Sequence, residues 1–438
     1  MKLQKIVRLF CCVLAITVVA GCSSKKVLPQ GKRISVLAPN ATVKPEVSNG
    51  QAQVKIPTAI TNSSWLQTDY NSSHITPNLK VSPKFEKQWS ANFGEGASKR
   101  EILMSTPLIV DGKVYTLDVD GLISAFNLKT GESLWYTELK PQNKYVKDTA
   151  LKGIGIAYDN GTIYATTGYG DVYALNAKNG EQLWSKSLNF PVRIAPMIAK
   201  GKVFVQSVDN KFFALDEQNG EILWKYDIML ENTTLVGGSV PAYSEALDIV
   251  IAGFSSGELQ TFNASLGSPL WSDILISNRQ AYSSTFLNTI KASPIVEGET
   301  IYAFSNGNIL AAIDARTGLR NWEKELGGKT TPLLAGNVLY VITNDRDLLA
   351  INKDNGNILW SKALDFGEKP AEVVASAPIM LSNRLVIALS NGNVFTYDPK
   401  DGALLSSVDL DEELNSAPIA ADEYIVFVTS KAKLLVYK

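Results

Sequence analysis

The sequence predicts an all-β fold, an eight-bladed β-propeller built of four-stranded antiparallel blades. Three observations predict it. A fragment of the form Ala-x-Asn/Asp-x-x-x-Gly-x-x-x-Trp recurs, first as Ala125…Asn127…Gly131…Trp135, with further copies ending at Trp184, Trp224, Trp271, Trp322 and Trp360. Trp-to-Trp spacing runs from 38 residues (Trp322 to Trp360) to 51 (Trp271 to Trp322), a period that marks one supersecondary unit used many times. Within each copy, short runs rich in Val, Ile, Leu, Tyr and Phe alternate with Asp-Gly, Asn-Gly or Thr-Gly pairs, which supply the positive φ of hairpin turns. Finally, a strand is missing after the last copy, and a lone strand stands before the first.

The N-terminal residues read as a targeting device. Lys2, Lys5 and Arg8 precede an apolar run, Leu9 to Ala20, that is too short to span a bilayer. The run ends in Val19-Ala20-Gly21-Cys22. This resembles the bacterial lipobox, which implies cleavage between Gly21 and Cys22 and lipidation of Cys22. The absence of Asp after Cys22 resembles lipoproteins sent to the outer membrane. The expected domain organisation is a lipoprotein signal over 1–21, a flexible tether over 22–60 and a propeller over 61–438. Pro29, Pro39, Pro45 and Pro57 interrupt a polar stretch without periodicity, the composition of a linker.

The strands follow in order. Lys84-Phe-Glu-Lys-Gln-Trp89 is the lone strand, with Trp89 where each repeat carries its Trp. Repeat starts stand at Ser105-Thr-Pro107, Ile154, Ala195-Pro196, Val240-Pro241, Ser293-Pro294, Thr331-Pro332, Ala377-Pro378 and Ala417-Pro418. The seventh copy has Ser406 in place of Trp. The eighth copy stops at Tyr437-Lys438, before a fourth strand. The Lys84–Trp89 strand therefore completes the eighth blade and closes the ring. One four-stranded sheet cannot bury both faces alone, but stacked neighbours do. Trp89, Trp135, Trp184, Trp224, Trp271, Trp322 and Trp360 are read as structural blade-docking residues, each packing flat while its N–H meets a backbone carbonyl.

Composition excludes several function classes. Once Cys11 and Cys12 leave with the signal, only Cys22 remains, so no intramolecular disulfide and no Cys-based metal site forms. The remaining chain carries 39 basic against 43 acidic residues, a balance that gives no support to nucleic-acid binding. The single histidine, His74, cannot build a His-based metal cluster. Gly253-Phe-Ser255-Ser-Gly257 fits the G-x-S-x-G nucleophile pattern. It aligns with the middle hairpin of a blade, no helix follows it and no His lies nearby, so it reads as a turn. No catalytic residue, metal or cofactor is assigned.

The Ala-x-Asn/Asp…Gly-x-x-x-Trp element resembles the tryptophan-docking repeat of quinoprotein propellers. That resemblance alone implies oxidation of alcohols or sugars with pyrroloquinoline quinone. The vicinal Cys pair of many alcohol-oxidising members is absent after signal removal, and no set of channel-facing Glu, Asn and Asp matches a calcium site. Lipobox, tether and eight lean blades together are similar to the BamB family of outer-membrane protein assembly factors. This resemblance implies a non-enzymatic scaffold anchored in the outer membrane, facing the periplasm. It also implies two kinds of partner, the periplasmic domains of the barrel-inserting subunit BamA and unfolded outer-membrane proteins. A family interface loop corresponds here to Thr233-Thr-Leu235-Val236-Gly237-Gly-Ser239. Leu235 matches and is the candidate partner-binding residue, but Val236 stands for an Arg. A family acidic pair falls on Thr289 and Lys291. The alternatives that stay open are a quinone-dependent dehydrogenase and a lipoprotein binding another envelope ligand.

Overall fold

The computed structural model describes residues 43–47, 53–99, 101–142, 152–228, 237–277, 288–367 and 372–438. They form eight four-stranded antiparallel sheets arranged as the blades of a propeller. Blades one to seven span 108–138, 153–187, 197–227, 242–274, 295–324, 333–363 and 379–409. Blade eight combines three strands from 419–437 with Lys87–Asn92, which pairs antiparallel with Lys433–Tyr437. The lone strand thus closes the ring as its position in the sequence predicts. Closure leaves no half-finished sheet with an unpaired inner face.

Each repeat consists of an innermost strand, two largely buried middle strands and an outer strand, which in blade one alternates exposed and half-buried residues. The Asn or Asp of the recurring fragment builds the turn before the outer strand. Asn127 Oδ1 accepts the N–H groups of Lys129 (2.9 Å) and Thr130 (3.1 Å), and Gly131 N–H returns to the Asn127 carbonyl (2.9 Å). The same arrangement recurs at Asp216, Asn263, Asp314 and Asn352. Short polar side chains that mimic a backbone turn are the reason Asn or Asp stands there.

The seven indoles bridge adjacent blades. Trp89 Nε1 donates to Leu128 O at 2.9 Å, Trp135 to Ala177 O at 3.2 Å and Trp184 to Glu217 O at 3.0 Å. Trp224 donates to Ala264 O, Trp271 to Ala315 O, Trp322 to Lys353 O and Trp360 to Pro399 O, all within 3.1 Å. The glycine of the fragment has a second role that its own turn does not reveal. A Cβ on Gly131 would stand 2.7 Å from the Trp89 ring, and one on Gly356 would stand 2.8 Å from the Trp322 ring. Each glycine is the floor on which the indole of the preceding blade lies. Its positive φ (74° at both positions) serves the turn at the same time.

Residues 60–82 run across one end of the ring and bond to every blade. Trp65 exchanges backbone hydrogen bonds with Ile109 of blade one, and Tyr158 N–H of blade two reaches Leu66 O. Gln67 pairs both its amide atoms with the Ile198 backbone of blade three. Tyr243 N–H meets Ser72 O, Val296 N–H meets Ser73 O, and Thr331 Oγ1 donates to Asp69. Leu79 N–H bonds to Met380 O and Ser82 N–H to Glu423 O, which takes in blades seven and eight. His74 is buried here with its Nδ1 2.7 Å from Pro294 O. Burial holds its pKa below the usual 6.5, against the opposing pull of Asp69. Further upstream, Glu46 N–H donates to Ile358 O on the outer edge of blade six, and its carboxylate meets Lys324 at 2.8 Å.

Candidate functional site

The other end of the ring carries the connections from each outer strand to the next blade. Among the described residues of these connections, 188–196, 237–241 and 288–294 converge beside blades three to five. Glycines let them press together. A Cβ on Gly253 would lie 2.5 Å from Ile290, and one on Gly238 would lie 2.8 Å from Ile194. Arg193, Gln206, Asn210, Gly237, Ser255 and Thr289 line a small cavity between them, about 30 Å³. That is room for ordered water, far below a cofactor or drug-sized pocket, which takes roughly 300 Å³ or more.

Polar groups hold this surface in shape. Ser255 Oγ donates to Asn210 Oδ1 at 3.0 Å, and Thr289 Oγ1 to Ser255 O at 3.4 Å. Gly253 to Gly257 is the hairpin between two strands of blade four, with no helix after it. Ser255 is therefore a turn residue whose hydroxyl ties two blades together. His74 is committed at the opposite end.

Thr289 and Lys291 both fall on this surface. A Cβ on Gly237 would lie 3.7 Å from Lys291 Cε, so Gly237 and the connection carrying Lys291 are neighbours. Lys291 stays open to water while surrounded by protein. Burial and then the Lys329 charge push its ammonium pKa down. Among the described residues neither Lys291 nor Arg193 has a carboxylate partner. The described part of this surface therefore presents positive charge, with Thr289 and Lys291 where a family acidic pair falls. Arg193 and Lys329 escaped sequence reasoning, since nothing in their local sequence says that distant connections meet. Gly21, Cys22, Leu235 and Val236 lie outside the described residues.

Among the described residues no three His, Cys, Asp or Glu side chains come close enough to hold a metal ion.

A family model described as "Outer membrane protein assembly factor BamB" matches residues 119–362 and 348–438. The chain belongs to the BamB family. The outer membrane protein assembly factor BamB of Yersinia pestis is 26% identical over 275 residues, 59% of this chain and 67% of that protein. Its counterpart from Burkholderia pseudomallei is 23% identical over 259 residues, 58% of this chain and 64% of that protein. The matched stretch thus spans about two thirds of these relatives. The crystal structure of BamB from Moraxella catarrhalis superposes with a TM-score of 0.68 at 18% identity, covering 81% of this chain and all but 1% of that one (99%). Quinohemoprotein alcohol dehydrogenase from Comamonas testosteroni gives 0.66 at 13% identity, over 86% of this chain and 81% of that one. At such identities the structural likenesses show the fold alone. The propeller is that of an outer-membrane protein assembly family.

Proposed function

We propose that this chain is a non-catalytic scaffold of β-barrel assembly, carried on the outer membrane by a lipid on Cys22 and facing the periplasm. On this reading residues 1–21 are removed and the stretch from Cys22 to about residue 60 links the lipid to the blades. The propeller holds its partner, the barrel-inserting subunit BamA, through loops rather than through a reactive centre. Unfolded outer-membrane proteins are its clients. The observation that carries the reading is the match to the BamB family over most of the blades. The cationic connections of blades three to five support it as the docking face. Loops on a rigid scaffold are where binding residues concentrate. With Lys291 and Arg193 lacking a carboxylate partner among the described residues, the complementary patch on the partner is acidic. Like charges across an interface cost several kcal/mol.

The test is a pull-down of the Cys22-anchored protein solubilised in mild detergent. Stoichiometric recovery of the barrel-inserting subunit is expected, and Lys291→Glu lowers that recovery at least tenfold. Recovery of unrelated proteins alone overturns the reading. So does uptake of pyrroloquinoline quinone with calcium together with alcohol-dependent dye reduction. Cys22→Ala releases the protein from the membrane fraction if the lipid is the anchor.

A further inference from the structure

The seam between blades seven and eight lacks what the other seams contain. In blade one, Tyr115, Ala125 and Trp135 stand in register across three strands. Blades two, three, five and six repeat this row as Tyr164-Ala174-Trp184, Phe204-Ala214-Trp224, Tyr302-Ala312-Trp322 and Tyr340-Ala350-Trp360. The two aromatic rings of each row pack against each other, with centroids 5.9 Å apart in blade one and 5.8 Å apart in blade six. In blade seven the same row reads Val386-Thr396-Ser406. Both rings are gone.

A cavity of about 210 Å³ stands in their place. Val386, Thr396 and Ser406 all line it, with Phe85, Val408 and Phe427 among its apolar lining and Arg384 among its polar lining. Phe85 lies edge-on to Phe427 (6.2 Å) and stacked on Tyr437 (4.6 Å). A roughly 150 Å³ apolar cavity is enough to hold a benzene ring. The structure also shows why no indole of the chain fills it. Each docked Trp lies on the glycine of the next blade's last hairpin. In blade eight the last two strands are Lys433–Tyr437 and Lys87–Asn92, which no hairpin joins. The floor glycine has no counterpart there.

The strand beside the cavity is equally unusual. Leu404–Asp409 is exposed at all six positions, whereas every other outer strand has half-buried or buried positions. Leu404, Leu405 and Val408 are exposed apolar residues, and the only charge is the terminal Asp409. Other edges carry ion pairs, such as Arg320 gripping Asp273 at 2.7 and 2.8 Å between blades four and five. Blade six shows what such an edge accepts, because Glu46 exchanges hydrogen bonds with Ile358 of its outer strand through its own N–H and its carboxylate. An uncharged, uncovered edge is a template for a further strand.

We propose that this seam receives an aromatic side chain of another polypeptide, best a tryptophan, presented on an extended segment that pairs with Leu404–Asp409. The seven filled seams identify the occupant, since the same position in each holds an indole. The seam is separate from the cationic connections of blades three to five, so it stands whether or not those dock a partner.

The experiment titrates the full chain with 5-fluoroindole, followed by fluorine NMR. It also titrates an N-acetylated, C-amidated peptide, Thr-Val-Trp-Val-Thr, and its Ala counterpart. Saturable binding of fluoroindole is expected. The Trp peptide binds at least tenfold more tightly than the Ala peptide. Ser406→Trp, which fills the cavity from within, lowers both affinities at least tenfold, while Ser406→Ala leaves them within twofold. Leu405→Lys, at an exposed position of the same strand outside the cavity lining, lowers peptide affinity without touching the core and serves if the Trp variant folds poorly. Absence of saturable binding overturns the proposal. So do equal affinity in Ser406→Trp, equal binding of the two peptides, or tighter binding of 1-octanol than of fluoroindole, which marks a site for alkyl chains.

Discussion

Seven seams of this propeller are pinned by an indole and one is not, and the difference separates architecture from function. At the pinned seams, two features of the recurring fragment work on different blades. The Trp reaches forward to the next blade, and the glycine accepts the Trp of the previous one. The interaction is therefore reciprocal along the ring, and it needs a hairpin at the end of every blade. Blade eight has no such hairpin because its outer strand comes from the other end of the chain. The absence of Trp at 406 follows from the way the ring closes, and the open cavity beside it follows from the loss of both rings in that row. A repeated residue here says how blades stack, and a departure from the repeat marks where the molecule has surface to offer.

The strongest way to break this contrast is to undo the closure. Deleting Lys87–Asn92 leaves three strands in blade eight and exposes a buried edge. The expected outcome is loss of a single cooperative unfolding transition and of monomeric elution in size-exclusion chromatography. Retention of both would mean that the ring does not depend on this strand. Next in size is Trp360→Ala. Trp360 is the most buried of the seven docking indoles, and large-to-small changes at such sites cost about 3–5 kcal/mol. Urea denaturation measures it. Ser406→Ala, at the matching position of the unpinned seam, is expected within about 0.5 kcal/mol of the parent, as surface changes usually are.

Gly356→Ala sharpens the comparison at the receiving side. The left-handed backbone costs about 1–2 kcal/mol for a residue with a Cβ. Crowding the Trp322 ring adds overpacking of about 1–3 kcal/mol. The same change at Gly112, where a Cβ meets nothing, carries only the backbone part. A difference between the two variants in urea midpoint therefore isolates the glycine as a floor for the indole. Equal losses would reduce it to a turn residue.

The smallest effect concerns the segment that spans the ring. His74 is held neutral by burial, so its folded pKa lies below the usual 6.5. Above pH 6.5 both folded and unfolded states are neutral there, and its contribution is fully present. As pH falls below 6.5 the unfolded chain takes up a proton that the folded chain refuses, and stability is lost at up to about 1.4 kcal/mol per pH unit. His74→Asn, which tolerates the same positive φ of 60°, is expected to flatten the decline between pH 7 and pH 5.5. An unchanged slope would assign that decline to other groups.

The ring and its pins were legible because they repeat. Hairpin dipeptides, the Asn or Asp of each turn and the Trp spacing are local signals, and even the closing strand showed itself as a Trp89 without a blade. The crossing of residues 60–82 over all eight blades was not legible, because each contact joins residues far apart in sequence through backbone groups that any side chain supplies. The floor role of Gly131 and Gly356 was hidden for a related reason, since the partner indole sits one repeat away. Ser406 was visible as a gap. The cavity was not, because it also needs Val386, on another strand, to replace an aromatic. At the candidate docking surface, Lys291 stood out only against a family pattern. Arg193 and Lys329 come near it through folding alone.

The most direct test of the central claim places a photoreactive amino acid at Lys291, on the connections of blades three to five, and in parallel at Leu223, an exposed residue of a pinned blade's outer strand. Both variants are irradiated in intact cells. Position 291 is expected to cross-link to the barrel-inserting subunit and position 223 is not. Equal cross-linking at 223, or none at 291, contradicts it.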